Sequence, residues 1–268
     1  MFCFAQKGAI QYLEAEAIAA LDFVTHAFCT RCGGVSEGPF SSLNTGFLVS
    51  DREEDVRRNL GLISEAFAIP PGHLVLMGQV HGGRIFILDG DAPPPGLIPE
   101  CDGLITDKPG VALGIRTADC VPLLFTDRVR RVIGVAHAGW RGTALRIASR
   151  MVDRFEKRFS SRREDILIAI GPAIGFCCYQ VDAPVFAAFS SRPEAESFFQ
   201  PCPEAGRWML DLASANRVEL MERGVPAENI LPAGHCTACR QELFFSHRAS
   251  LGSTGRQLNF IMLRDGGC

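Results

Sequence analysis

The chain has 268 residues, 47% of them hydrophobic and 21% charged, and a formal net charge of −3. That length supports a substantial buried core, and the acidic balance argues against binding nucleic acid or anionic membrane through bulk charge. The longest apolar stretch, Ile166 to Cys178, is broken by Gly171, Pro172 and Gly175 and is too short to span a bilayer.

Along the chain, a first strand is expected over Ala9–Leu13. Ser50 and Glu53 have capping-box spacing and predict a helix through Val56, Leu60, Ile63 and Phe67 that stops before Pro70. Short apolar runs then follow closely at Leu74–Met77, Arg84–Leu88, Gly103–Thr106, Val111–Ile115, Val121–Thr126 and Val132–Ala136. Bounded by Gly, Asp and Pro, they read as buried strands. The Pro-rich GDAPPPGLIPE at 90–100 reads as a surface loop. A helix is expected from Thr143 to Phe159, its apolar face carrying Leu145, Ala148, Met151, Val152, Phe155 and Phe159. A strand at Ile166–Ile170, a helix at Leu212–Arg223 stopped by Gly224, and a strand at Gln257–Leu263 complete the pattern. Many sequence-adjacent strands with few helices between them predict a mixed α/β (α+β) fold, a single layered domain over 1–268, rather than a doubly wound parallel sheet.

Eleven cysteines, an odd number, accompany an opening segment, MFCFAQKGAIQYLEAEAIAALDF, with no export signal. Together they point to a reducing cytoplasm with free or metal-bound thiols.

Three residues stand out as chemistry: His81 in QVHGG, Cys120 in RTADC and His137 in GVAHAGWRGT. Two imidazoles and a thiolate form a three-ligand zinc set that leaves one tetrahedral position open. If the strands after Cys120 and before His137 pair as a hairpin around Asp127–Arg130, both side chains sit at its open end. Taken singly, each residue also has a plain reading, a small core thiol or a loop histidine. Gly139 to Thr143 leads into a helix start where Arg141 and free N–H groups suit an anion. Thr30 to Gly34, with Arg31 and the downstream Asn44, is a second anion candidate. Either segment reads equally well as a surface turn. Near the C-terminus, Cys236 and Cys239 form a CxxC with no second pair to complete a zinc finger, and Arg248 is expected to face a ligand. Cys177 and Cys178 default to a structural role.

The segments TRCGGVSEGPFSSLNTG, QVHG, CDGLITDKPGVALGIRTADCVPLLF, GVAHAGWRGT, IGPAIGFCCYQV, HCTAC, FFSHR and TGRQ follow one another from Thr30 to Gln257 as they do in the YfiH-like family. That family is also labelled laccase-domain, polyphenol oxidoreductase, peptidoglycan editing factor and purine nucleoside phosphorylase. The resemblance implies a layered α/β domain related to cytotoxic-necrotizing-factor-like cysteine hydrolases, with zinc on His81, Cys120 and His137. It also implies phosphorolysis of adenosine, inosine, guanosine and methylthioadenosine, and adenosine deamination. On that reading Arg31, Asn44, Arg141 and Arg248 are candidates to bind phosphate and substrate, and Asp119 to shuttle a proton while zinc activates a water toward C6 of adenine. The partners are then purine nucleosides and inorganic phosphate, with neither nucleic acid nor membrane, and the protein is expected to be a monomer. Copper fits less well, because a multicopper oxidase needs a histidine-rich cluster and this chain has six histidines and no His-x-His pair. Two other readings use the same residues. One is a metal-free cysteine hydrolase or deamidase, including a peptidoglycan-precursor editing enzyme, with Cys120 as nucleophile and His137 as base. The other is a non-catalytic regulator with a vestigial site.

Overall fold

A computed structural model of the chain describes residues 1–89 and 100–264. The Pro-rich loop expected at 90–100 lies outside the described residues, Glu100 apart. The first part of the chain forms β1 (Phe2–Lys7), β2 (Ile10–Ala15), α1 (Glu16–Ala19), β3 (Val24–Cys29), α2 (Glu53–Ala66) and β4 (Leu74–Leu76). The middle forms β5 (Ile85–Ile87), β6 (Gly103–Thr106), β7 (Ala112–Thr117), β8 (Val121–Asp127), β9 (Val132–Ala138), α3 (Trp140–Ala144), α4 (Ile147–Phe159) and β10 (Ile166–Ile170). The remainder forms β11 (Gln180–Asp182), α5 (Ala183–Ala187), β12 (Phe199–Pro201), β13 (Arg207–Leu210), α6 (Leu212–Glu222), β14 (Ile230–Pro232) and β15 (Gln257–Leu263).

The fold is mixed α+β. One six-stranded sheet has the order β1-β2-β3-β15-β7-β4, a second has β14-β10-β8-β9-β6-β5, and a small third sheet has β11-β13-β12. Side-chain alternation explains the layering. On β8, Val121, Leu123 and Phe125 join the core beneath α4 and α6, while Leu124 faces the other way and joins Ile133 and Val135 of β9 in the core shared by the two large sheets. The outer face of the first sheet presents Tyr12, Ala27 and Phe260 to Ile63 and Phe67, which α2 and its C-terminal end supply. The order is therefore helix, sheet, sheet, helices. Both faces of the central strands are covered, which is why they read as unbroken apolar runs.

The expected hairpin forms. β8 and β9 pair antiparallel from Val121↔Ala138 to Asp127↔Val132, and Asp127 Oδ1 accepts the Val129 and Arg130 N–H groups in the turn. Ile133 and Val135 face the inter-sheet core, so by period two His137 points to the same side, at the open end between the sheets.

Three expectations need correction. The capping box at Ser50 does not form: Ser50 has φ 60°, and α2 starts after Arg52 without a side-chain cap. Glu53, Glu54 and Asp55 in the first turn still complement the helix dipole. The helix expected from Thr143 to Phe159 is two helices, broken at Arg146, which takes the left-handed φ of 59° while its guanidinium reaches Glu194 and Glu222 at 3.3 Å each. No Gly or Pro marks that break. The first expected strand is the second strand observed, shifted to Ile10–Ala15, and β1 and β3 lie on either side of it.

Candidate metal centre

The C-terminal ends of β4, β7 and β9 and the N-terminal end of β8 meet at one edge of the sandwich. There the ligating atoms of His81, Cys120 and His137 all lie within 4.8 Å of one another. The two imidazole rings are 4.8 Å apart, centroid to centroid, and nearly perpendicular. A Cβ built on Gly139 would come 3.0 Å from the Cys120 sulfur and 3.3 Å from a His81 ring carbon, so the glycine leaves the room these ligands occupy. His81 (φ 56°) and Asp119 (φ 92°) both take left-handed backbone, at a cost of about 1–3 kcal/mol each. Such strain is concentrated where side chains must be aimed.

Asp102, fully buried just before β6, organises the site. Its Oδ1 accepts a hydrogen bond from His137 Nδ1 at 2.8 Å and the His81 N–H at 3.0 Å; its Oδ2 accepts the Gly82 N–H at 2.6 Å. One carboxylate thus fixes the tautomer of one histidine and the loop carrying the other. With Nδ1 of His137 donating to Asp102, Nε2 is free to ligate, the arrangement that supports a metal-bound histidine. Burial opposes ionisation of Asp102, but these donors hold its carboxyl below the usual range.

The electrostatics match the donor set. Burial would raise the Cys120 thiol, yet the charges and hydrogen bonds of His137 and His81 pull it down to about 6. Burial would likewise lower His137, but the Cys120 thiolate and Asp102 push it up to about 9. These opposite shifts favour thiolate and imidazolium over thiol and neutral imidazole. Two imidazoles, one of them backed by a carboxylate, and a thiolate suit a borderline-soft divalent ion held by three protein ligands.

The site opens into a pocket of about 500 Å³. Beside the ligands, its walls include Arg116, Arg256, Gln79, Tyr179, His247 and Arg248, with Phe47 and Leu48 adding apolar surface. Leu48 is 97% exposed. Arg116 and Arg256 are close enough that burial, and then the charge of Arg256, lowers the Arg116 pKa. Among the described residues neither forms an ion pair with a carboxylate. Arg116 donates to the Met77 carbonyl at 3.3 Å, and Arg256 to the Thr254 and Gly255 carbonyls at 3.0 and 2.8 Å. Gln79 pairs with the Arg116 backbone through two 2.8 Å hydrogen bonds and so extends the edge of β7.

The residues singled out in the sequence are distributed as follows. Asp119 lines the pocket, its oxygens accepting the Thr237 hydroxyl at 2.6 Å and the Arg248 N–H at 2.7 Å. Arg248 lines it too, with its guanidinium over the Tyr179 ring and donating to the Gln180 carbonyl. Arg31, Asn44 and Arg141 do not line it. Arg31 donates to the Ser41 and Gln241 carbonyls and sits over the Phe245 ring. Asn44, fully buried, bonds Asp51 and accepts the Gly46 and Arg256 N–H groups, so it supports the pocket wall from behind. Arg141 stacks on Trp140, 4.3 Å from the ring centroid. No motif in the sequence points to Asp102, Arg116 or Arg256 as parts of the site. The available signal was charge at strand ends: an aspartate immediately before an apolar strand, and arginines in GIRTADC and TGRQ beside ligands or strand starts.

No helix among the described residues is long and apolar enough to cross a membrane. Residues 25–264 match the family model described as multi-copper polyphenol oxidoreductase laccase. The chain is 42% identical over 246 residues to the purine nucleoside phosphorylase YlmD of Geobacillus stearothermophilus, covering 88% of this chain and 89% of that protein. It is 36% identical over 248 residues to the protein of the same name from Bacillus subtilis, covering 90% and 89%. The crystal structure of Bacillus licheniformis YfiH superposes with a TM-score of 0.90 at 38% identity, covering 97% of this chain and 99% of that one. With the model match, the identities and the superposition all spanning most of its length, the chain belongs to the laccase-like YfiH/YlmD family.

Proposed function

We propose that this protein is a purine nucleoside phosphorylase, acting on adenosine, inosine, guanosine and methylthioadenosine, with zinc on His81, Cys120 and His137. The observation that carries the reading is the arginine pair: Arg116 and Arg256, without carboxylate partners among the described residues, line the same pocket as the ligand set. Phosphorolysis needs an anion held beside the anomeric carbon of ribose while the purine departs, and two adjacent guanidiniums supply charge-assisted hydrogen bonds for it. A pocket of about 500 Å³ is within the range for small-molecule sites, and Phe47 and Leu48 offer apolar surface to a base. When bound, zinc supplies a Lewis acid inside the pocket. Asp102 keeps His137 in its ligating tautomer. Asp119, oriented by Thr237 and the Arg248 N–H, is the candidate proton carrier for a companion deamination of adenosine. The names of the relatives support the phosphorylase reading. Copper oxidase chemistry is disfavoured by the donor set, since among the described residues the only other histidine lining the pocket is His247.

The test is a nucleoside panel with and without inorganic phosphate, on protein of measured metal content. Adenine and ribose 1-phosphate should form from adenosine only when phosphate is present. Zinc-replete protein that leaves every purine nucleoside intact would overturn the proposal. One observation favours a second reading: the Cys120 thiolate, His137 and Asp102 stand in the order nucleophile, base and orienting acid of a cysteine hydrolase. Activity that survives complete removal of metal by chelation would select that reading.

A further inference from the structure

Outside the pocket, four cysteines converge. Cys177 and Cys178 lie in the loop after β10, and Cys236 and Cys239 in the loop after β14. Those two strands are parallel neighbours, and an isolated bridge between Ala173 and Cys236 carries the pairing onward, so both loops leave the sheet at the same edge. All four sulfurs lie within 4.8 Å of one another, with Cys239 at 3.4 Å from both Cys177 and Cys178.

We infer that Cys177, Cys178, Cys236 and Cys239 bind a single zinc ion at a second, structural site. Zinc with four thiolates has Zn–S bonds of about 2.3 Å, which places the sulfurs of a regular tetrahedron ~3.8 Å apart, the spacing this cluster approaches. A polynuclear iron–sulfur cluster would spread its thiolates around several atoms, further apart than these lie. Four protein ligands close the coordination shell, so this site holds structure, in contrast to the three-ligand set at His81, Cys120 and His137. The surroundings suit a thiolate: the Gly175 N–H points at the Cys236 sulfur at 3.1 Å. A Cβ on Gly175 would lie 3.0 Å from Cys236 Cβ and 3.4 Å from the Cys177 sulfur, so glycine spares the cluster a tight contact. The ion would also brace the pocket. Ile174 donates its N–H to the Asp119 carbonyl at 2.8 Å, and Thr237 bonds the Asp119 carboxylate, so the two cysteine loops support the residue next to Cys120.

The test uses the full chain, produced with zinc and kept reduced, with metal content measured by mass spectrometry and the zinc environment by X-ray absorption. His81→Ala removes a ligand of the first site only. It is expected to retain one zinc per chain, surrounded by four sulfurs at about 2.3 Å. Cys239→Ser should lose about one zinc per chain relative to the parent while keeping a mixed nitrogen and sulfur shell. Should Cys239→Ser fail to fold, the measurement on His81→Ala decides alone. The inference is overturned by a folded His81→Ala protein without zinc, by nitrogen in its zinc shell, by iron in place of zinc, or by a disulfide joining Cys239 to Cys177 or Cys178. Loss of nucleoside activity with zinc content unchanged bears on the pocket and not on this site.

Discussion

Asp102→Asn tests the centre most directly, because one carboxylate supports both histidines. The amide keeps the size of the side chain but presents an NH2 group to one of two donor sets: the His137 Nδ1 and His81 N–H at Oδ1, or the Gly82 N–H at Oδ2. In a fully buried place, either orientation sets donor against donor. Losing a charge-assisted bond costs about 1.5–3 kcal/mol, and the unpaired donor adds about 1–3 kcal/mol. Replacing the residue behind a ligating histidine weakens metal binding about 10–100-fold, or about 1.4–2.7 kcal/mol of zinc affinity. The assay is competition for zinc against a chromophoric chelator, with circular dichroism to confirm the fold, read beside thermal unfolding. A folded Asp102→Asn protein with parental zinc affinity would refute the idea that Asp102 sets the ligand geometry.

Further outcomes follow from the same geometry. In metal-stripped protein, alkylation of Cys120 by iodoacetamide, followed by peptide mass spectrometry, should rise with a midpoint near pH 6; His137→Ala should shift that midpoint upward toward the ordinary thiol value. A parental midpoint at 8 or above would mean the thiolate–imidazolium pair does not form. Arg116→Ala and Arg256→Ala should each raise the KM for phosphate about tenfold or more, the worth of one charge-assisted bond, with zinc content unchanged. An unaltered phosphate KM in both variants would remove the arginine pair from the anion site. Asn44→Ala should cost about 2–4 kcal/mol in thermal or denaturant unfolding, since the Gly46 and Arg256 N–H groups and Asp51 lose their partner. A stability change below 1 kcal/mol would show that the loop is held by other contacts.

Much of this architecture was legible in the chain because burial on both faces leaves a plain mark. Ile166–Ile170, Gly103–Thr106 and Gln257–Leu263 are apolar runs with matching ends in the structure. The hairpin of β8 and β9 followed from a turn rich in polar residues between two such runs. Less legible was anything that depends on a side chain reaching a distant backbone. Arg31 and Asn44 have the composition of an anion loop, yet their polar atoms are consumed by Ser41, Gln241, Gly46 and Arg256, partners up to 212 positions away. Asp102 was hidden for the same reason, its donors from Val80, His81, Gly82 and His137 lying on two other segments. The interruption at Arg146, whose guanidinium reaches Glu194 and Glu222, is announced by no local pattern. His81, Cys120 and His137 could be singled out as candidate ligands because each sits where a strand or turn signature ends. Their convergence could not be read from spacing, only from the way two sheets close over one edge.

Asp102 ties the loop around His81 and the ring of His137 to one carboxylate, so on the zinc reading proposed above a cation would meet a site already braced by protein hydrogen bonds. Zinc uptake there would be accompanied chiefly by release of the proton that the raised pKa of His137 otherwise retains.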